Sequence, residues 1–161
     1  MTSWTPLTPT DDEFLASAPI KATVHVEVPV PIERLWELIV ADNALTSWSP
    51  AVTKAVWSGQ PRGVGTTREV TIGGVVTVRE RFYRWDVNER ATFTVLSANR
   101  PGIRRFSEDY VLSETPTGSA LAWTVAVDLG RLNIAGPVVV PALKLAFGQM
   151  TKGLAKVAAR G

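Results

Sequence analysis

The chain has 161 residues, 45% of them hydrophobic and 20% charged, and these values are typical of one globular domain. It contains no cysteine and a single histidine, His25, which excludes disulfides, a thiolate nucleophile and a zinc site of several nitrogen or sulfur ligands. The net charge of +2 predicts no bulk attraction to nucleic acid. We expect neither a metal ion nor a cofactor.

The start of the chain and its hydropathy predict neither export nor membrane insertion. No uninterrupted apolar run reaches the roughly 18 residues of a membrane-spanning helix, and the first residues lack the basic and apolar regions of a secretion signal. We therefore expect a cytoplasmic protein without a membrane span. Residues 1–19, rich in Thr, Pro, Ser and Asp, predict an extended arm, and residues 20–161 predict a single domain.

The first regular elements follow the arm. Residues 20–28 alternate apolar and polar side chains, which predicts a half-buried strand. Pro29 and Pro31 end it, and Pro31 suits the first position of a helix, where its missing N–H has no partner in any case. Residues 32–40 have the apolar spacing of a helix, and residues 41–50 are expected to contain a short second helix.

Most of the remaining chain has the pattern of β-strands. Turn-forming pairs such as Gly73-Gly74 separate short alternating segments, and such short connections favour an antiparallel meander. The predicted strands are residues 52–58, 66–72, 75–86, 90–97, 103–113 and 119–129.

A long amphipathic helix follows the last strand. Pro141 is tolerated only in a first helical turn, so the helix is expected to start between residues 137 and 141. Its apolar stripe repeats at steps of three and four residues and consists of Leu143, Phe147, Met150, Leu154 and Val157. Together the elements predict an α+β fold: a curved, seven-stranded antiparallel sheet wrapped around this helix, with two short helices after the first strand.

Four segments carry a resemblance to a known family. They are residues 28–38 (VPVPIERLWEL), Trp48–Val52, Gly63–Thr66 and residues 117–123 (TGSALAW). In this order they resemble the START-like (SRPBCC, Bet v 1-type) helix-grip superfamily, and most of all its polyketide cyclase/dehydrase-type bacterial branch. The resemblance covers about residues 20–158, and it implies a helix-grip fold with a hydrophobic ligand held between the sheet and the long helix.

Two carboxylates are the candidate catalytic groups. Glu80 shares a strand face with apolar neighbours such as Phe82, and Glu108 shares one with Phe106 and Tyr110. If these apolar faces turn inward, both carboxyl groups enter the cavity, where burial raises pKa values and suits acid–base chemistry. The alternatives are a register shift that exposes them, or ion pairs with Arg68, Arg79 or Arg105.

Aromatic and long apolar side chains are the candidate ligand contacts. They are Trp48, Phe93, Phe106, Tyr110, Trp123, Leu143, Phe147 and Met150. For each of them a plain core role is the alternative. We expect the cavity to open beside the first half of the long helix, where the preceding loop, Gly130–Ala135, is expected to move.

These observations support two main functions. The first is binding of a hydrophobic small molecule that is lipid-like, aromatic or polyketide-like. The alternative is a polyketide cyclase or dehydratase that uses Glu80 and Glu108 as acid and base, so the sequence leaves enzymatic activity open. It also leaves open a homodimer and a regulatory role for the arm.

Overall fold

The computed structural model describes residues 3–160, which form one sheet, three α-helices and one 3-10 helix. The strands are β1 (Thr5–Pro6), β2 (Ile20–Val28), β3 (Val52–Ser58), β4 (Thr67–Ile72), β5 (Val76–Asp86), β6 (Arg90–Ala98), β7 (Arg105–Thr115) and β8 (Gly118–Asp128). The helices are α1 (Asp12–Ser17), α2 (Ile32–Val40), the 3-10 helix (Gly130–Ala135) and α3 (Gly136–Ala159).

The sheet is an antiparallel meander from β3 to β8, with β2 paired to β8 at the far edge. Strand order is β2-β8-β7-β6-β5-β4-β3, and β1 adds a short pairing to β6. The predicted α+β fold, a seven-stranded antiparallel sheet around a long C-terminal helix, is confirmed. The bounds of β2 and β3 are the predicted ones, because turn-forming residues end both segments and because β2 alternates cleanly.

The arm fills a gap in this sheet through β1. β6 pairs with β7 only as far as Thr94. Beyond that point the backbone N–H groups of Leu7 and Thr8 donate to the carbonyl groups of Leu96 and Arg104, each at 2.9 Å. The arm therefore bridges β6 and the residue that precedes β7, where the two strands no longer pair. The Leu7 side chain is buried in the core below it.

The segment after β2 differs in part from the prediction. α2 buries its apolar stripe, including Leu35, Trp36 and Ile39. Residues 42–48, however, form consecutive turns instead of a second short helix. Leu45 has a φ of 69°, a left-handed conformation that a continuous right-handed helix cannot contain.

The start of α3 also corrects the prediction. The helix begins at Gly136, so Pro141 lies inside it, and the predicted mobile loop before it is the 3-10 helix. Asn133 ties that 3-10 helix to the end of β8 by donating to Asp128 at 2.8 Å. Pro141 is tolerated because it leaves only the carbonyl of Pro137 without its helical donor, and both prolines are exposed to water.

The stretch Gly130–Ala159 is long and apolar enough to cross a membrane by length and composition. Here it packs against β2 and α2, and its second half buries Thr151, Leu154 and Ala158. It is the core C-terminal helix of the fold rather than a membrane span. Its first half is more exposed and carries outward-facing apolar side chains, among them Val138 and Leu145.

Candidate ligand-binding cavity

A largely enclosed cavity of about 140 Å³ lies between the concave face of the sheet and α3. Strands β3 to β8, the turns after α2, α3 and the arm all contribute to its wall. The wall is almost entirely apolar, with members such as Leu7, Val70, Val95 and Ile103. Its three ionisable side chains among the described residues are Arg68, Glu80 and Glu108.

Arg68 and Glu80 form a buried ion pair across β4 and β5. They are register partners, and the Arg68 Nε donates to the Glu80 Oε2 at 2.7 Å. The next residues along the same two strands, Glu69 and Arg79, are also register partners and form a 3.2 Å ion pair on the exposed face. Because side chains alternate along a strand, two neighbouring cross-strand pairs end up in opposite environments.

The guanidinium of Arg68 lies among aromatic rings. Its Cζ is 4.8 Å from the ring centroid of Trp57 and 5.3 Å from those of Phe82 and Phe93. These distances are typical of cation–π attraction. Both terminal nitrogens, Nη1 and Nη2, are buried without a hydrogen-bond partner among residues 3–160, an arrangement that is costly and rare in folded proteins.

Glu108 lies on β7, on the same side of the sheet. Its Oε2 accepts a 2.8 Å hydrogen bond from the indole Nε1 of Trp123 on the adjacent strand β8. Burial, and next the negative charge of Glu80, raise the pKa of Glu108 to about 8. At neutral pH its carboxyl group is therefore mostly protonated, and it can donate a hydrogen bond or a proton.

The other ionisable groups around the cavity are also shifted. Burial raises the pKa of Glu80, although Arg68 opposes the shift. Burial acts to lower the pKa of Arg68, but Glu80 and Tyr110 outweigh it and the pKa rises. Burial likewise raises the pKa of Tyr110, a shift that the charge of Arg68 opposes and those of Glu108 and Glu80 reinforce. The group as a whole holds one cation, one anion and two neutral donors at neutral pH.

The structure brings together only part of the predicted contact set. The predicted residues in the cavity wall are Phe106, Trp123, Phe147 and Met150, together with Glu80 and Glu108. Phe147 stands edge-on to Trp123 with ring centroids 4.8 Å apart. One wall of the cavity is thus an aromatic surface shared by β8 and α3.

The other predicted contacts lie outside the wall. Trp48 packs behind Trp123, and its indole donates to the carbonyl of Leu38 at 3.0 Å. Phe93 and Tyr110 are buried in the aromatic layer that lies next to the ionisable groups. Leu143 packs at the edge of the core. The inward direction of Phe93, Tyr110 and Leu143 follows from periodicity, whereas Trp48 lies in the turns after α2. Which of the four reaches the cavity depends on tertiary packing.

Among the wall residues that the predicted site lacks, Leu7 and Arg68 are the two that the sequence indicates least. Leu7 comes from the arm, and its only sequence signal is that it is a lone large aliphatic residue in a polar segment. The sequence analysis names Arg68 only as a possible ion-pair partner of the two carboxylates. It is not predicted to line the cavity, because a charged residue on a strand is usually exposed to solvent. Its inward position follows from its register with Glu80.

The residues that the structure describes contain no cluster of three or more His, Asp or Glu side chains arranged to hold a metal ion. What the arrangement offers chemically is an apolar volume with one polar corner. That corner holds a guanidinium, a carboxylate and a neutral carboxylic acid. Such a set can bind a polar oxygen or move a proton without a metal.

A curved antiparallel sheet closed by a long C-terminal helix around an apolar cavity defines the helix-grip class of proteins. Within it, the chain belongs to the family described as polyketide cyclase/dehydrase and lipid transport, whose model matches residues 19–161. The resemblance seen in the sequence is thereby confirmed. This family and fold are consistent with a hydrophobic ligand.

Individual relatives and solved structures are similar to this chain in sequence or in fold. The chain is 32% identical over 143 residues to the uncharacterized protein Rv2574 of Mycobacterium tuberculosis, covering 88% of this chain and 86% of that one. The structure of TTHA0849 from Thermus thermophilus matches with a TM-score of 0.71 at 16% identity, over 86% and 96% of the two chains. DynU16, a protein of the dynemicin biosynthetic locus, matches with a TM-score of 0.65 at 18% identity, over 84% of this chain and 46% of that one. At these identities, both structures bear on the fold alone.

Proposed function

We propose that this protein binds a small hydrophobic molecule in the cavity between the sheet and α3. The observation that carries the proposal is an apolar void of about 140 Å³ in an otherwise packed core. An empty void of that volume costs roughly 3 kcal/mol of stability, at about 24 cal/mol per Å³. Occupation by an apolar ligand removes this cost and so stabilises the folded state.

The cavity fits a small ligand better than a long lipid. Typical ligand pockets have volumes of roughly 300–1,000 Å³, and this cavity is smaller. Its α3 wall is adjustable, however, because Phe147 and Met150 are only half-buried and methionine repacks easily. We infer that the ligand has one or two rings, or a comparably short chain.

The binding test uses apolar probes of graded size. We expect naphthalene derivatives to raise the melting temperature and to appear as a bound mass in native mass spectrometry. Phe147→Ala should enlarge the cavity and shift the preference towards larger probes. The control is Leu145→Ala, at an exposed position on the same helix, which should leave probe selection unchanged. The proposal fails if no apolar probe stabilises the protein, or if Phe147→Ala lowers stability without altering selection.

A second candidate is an enzyme that uses the cavity carboxylates as acid and base. The specific observation is that an ionised carboxylate paired to Arg68 and a neutral carboxylic acid with a pKa of about 8 share one cavity wall. Glu80 is then the base and Glu108 the acid. Proton abstraction next to a carbonyl group, as in aldol cyclisation or dehydration, needs this pair and a dry site.

This candidate can be tested without its natural substrate. An aryl methyl ketone in deuterated buffer should exchange its methyl protons faster with the protein than without it, as followed by proton NMR. Glu80→Gln should abolish the acceleration because an amide cannot accept the proton, while Glu69→Gln on the outer face should not. Exchange at the buffer rate in the presence of wild-type protein, under conditions where the ketone is bound, would remove the enzymatic candidate and leave binding intact.

A further inference from the structure

The polar corner of the cavity has more hydrogen-bond donors than acceptors. Arg68 uses its Nε on Glu80 and leaves Nη1 and Nη2 without partners among residues 3–160. A guanidinium carries five N–H donors and no acceptor. Because buried polar groups are normally satisfied, two buried and unpartnered nitrogens call for an acceptor that the polypeptide does not supply.

The second donor comes from Glu108. Two carboxyl groups, Glu80 and Glu108, share an apolar wall in which Arg68 is the one cation among the described residues. Two carboxylates cannot both stay ionised beside a single cation in such surroundings, so one of them holds a proton. Arg68 binds Glu80 directly, and the proton therefore lies on Glu108. The Oε2 of Glu108 accepts from Trp123, and the carbonyl oxygen of a carboxylic acid is its better acceptor, so we assign the proton to Oε1.

The charge of the corner is already balanced. Arg68 and Glu80 neutralise each other across a 2.7 Å contact, and a protonated Glu108 adds no charge. A ligand carboxylate would bring an unbalanced negative charge next to Glu80 in an apolar enclosure, which is costly. A neutral oxygen acceptor would satisfy the free donors at no such cost.

From this geometry we propose that the ligand carries a neutral carbonyl oxygen on its apolar body, as in a ketone, quinone or ester, and that Arg68 and Glu108 hydrogen-bond that oxygen. The inference rests on the proposed ligand-binding function and specifies its ligand class. Arg68 Nη1 and Nη2 have no surface open to the cavity in the described structure. Binding therefore includes a small movement of side chains at this corner, which exposes these nitrogens to the cavity. The guanidinium of Arg68 stays between the surrounding aromatic rings during this movement.

The test compares three probes with one ring system. They are 2-acetylnaphthalene, 2-ethylnaphthalene and 2-naphthoate, measured by titration calorimetry at neutral pH. We expect the ketone to bind about tenfold more tightly than the hydrocarbon, the effect of a hydrogen bond to a charged donor. We expect 2-naphthoate to bind more weakly than the ketone.

A pair of matched double variants assigns the effect to the corner. Arg68→Met with Glu80→Met removes the inner ion pair without leaving a lone buried charge, and Arg79→Met with Glu69→Met removes the outer pair on the same strands. The inner double variant should lose the tenfold preference for the ketone over the hydrocarbon, with both affinities measured on that variant. The outer double variant should keep that preference.

A spectroscopic measurement covers the case in which the inner double variant does not fold. The carbonyl stretching band of 13C-labelled 2-acetylnaphthalene should move to lower frequency when bound to the wild-type protein than in hexane, because the oxygen accepts hydrogen bonds. A band at the hexane position, equal binding of ketone and hydrocarbon, or tightest binding of 2-naphthoate would overturn the carbonyl assignment while leaving apolar binding standing. Failure of all three probes to bind would instead overturn the proposed function, and the inference with it.

Discussion

Glu108 is the residue whose chemistry depends most on its surroundings. On a surface strand it would be an ordinary carboxylate. Here burial and the nearby charge of Glu80 raise its pKa to about 8, and the indole of Trp123 holds it in one orientation. Arg68 and Tyr110 face it from β4 and from its own strand, and both favour its ionised form without outweighing burial.

The raised pKa of Glu108 predicts a pH-dependent stability. The unfolded chain releases this proton near the usual value of 4.5 and the folded chain near 8, so the folded state holds more protons between these limits. Its stabilising contribution is complete below pH 4.5 and is lost as pH rises through 8, by roughly 1.4 kcal/mol per pH unit at most. Glu108→Gln removes this titration.

Urea denaturation at several pH values from about 5 to 9 measures the effect. The wild-type free energy of unfolding should fall with rising pH more steeply than that of Glu108→Gln. Glu114→Gln, on the same strand near its end, provides the control and should follow the wild type. Parallel curves for wild type and Glu108→Gln would mean that Glu108 is ionised in the folded protein at neutral pH.

At the scale of elements, the contact between α3 and the turns after α2 closes one end of the cavity. Leu45 and Ala51 line the cavity from that side and Met150 from α3. The helix can approach because residue 153 is a glycine: a Cβ there would lie 1.8 Å from the carbonyl oxygen of Trp48. A glycine is thus required at residue 153 by the close packing of the helix, not by its backbone conformation.

Substituting the two glycines of α3 separates packing from helix propensity. Gly153→Ala should lower the free energy of unfolding by about 1–3 kcal/mol or more, because the methyl group forces helix and turn apart. Gly148→Ala meets no atom within 4 Å and should raise stability by roughly 0.5–1 kcal/mol, since alanine favours a helix interior. Thermal or chemical denaturation of both variants checks this, and equal effects would contradict the close contact.

At the scale of the whole molecule, the arm is joined to the core and to the outer face of the sheet. Leu7 lines the cavity, while Phe14 and Leu15 pack with Ala126 in a separate cluster. Hydrogen bonds from Thr10 to Thr94, both at 2.8 Å, fix the chain between these two anchor points. We propose that the described part of the arm, residues 3–19, belongs to the ligand-binding domain.

Two leucine substitutions in the arm test this role. Leu7 and Leu15 are similarly buried, so Leu7→Ala and Leu15→Ala should each destabilise the protein by roughly 2–5 kcal/mol. Only Leu7→Ala should also change the affinity or size preference for apolar probes, because it opens the cavity wall. Melting temperatures and probe titrations measure the two effects, and unchanged probe binding in Leu7→Ala would contradict the proposed role of the arm.

Local pattern is sufficient to predict most of the sheet. β3 has the predicted bounds, because turn-forming residues end the segment. β2 also has the predicted bounds, since one of its faces is more buried than the other and period-two alternation is the direct signature of that environment. The inward direction of Glu80 follows in the same way from its apolar neighbours on β5. The predictions of a short second helix after α2 and of Pro141 in the first turn of α3 are wrong. The left-handed conformation of Leu45 and the exposed position of Pro141 inside the helix are features of the folded structure that composition does not reveal.

The sequence by itself determined the elements, their order and the faces that turn inward, because these depend on side-chain periodicity along one strand or helix. Only the tertiary structure decided which inward side chains line the cavity between sheet and helix: Phe147 and Met150 do, whereas Trp48 and Leu143 do not. It also decided that Arg68 meets Glu80 and keeps two free nitrogens among the described residues, and that Leu7 completes the wall. These features depend on the register between strands and on the distance between sheet and helix, which are properties of the assembled core rather than of any one segment.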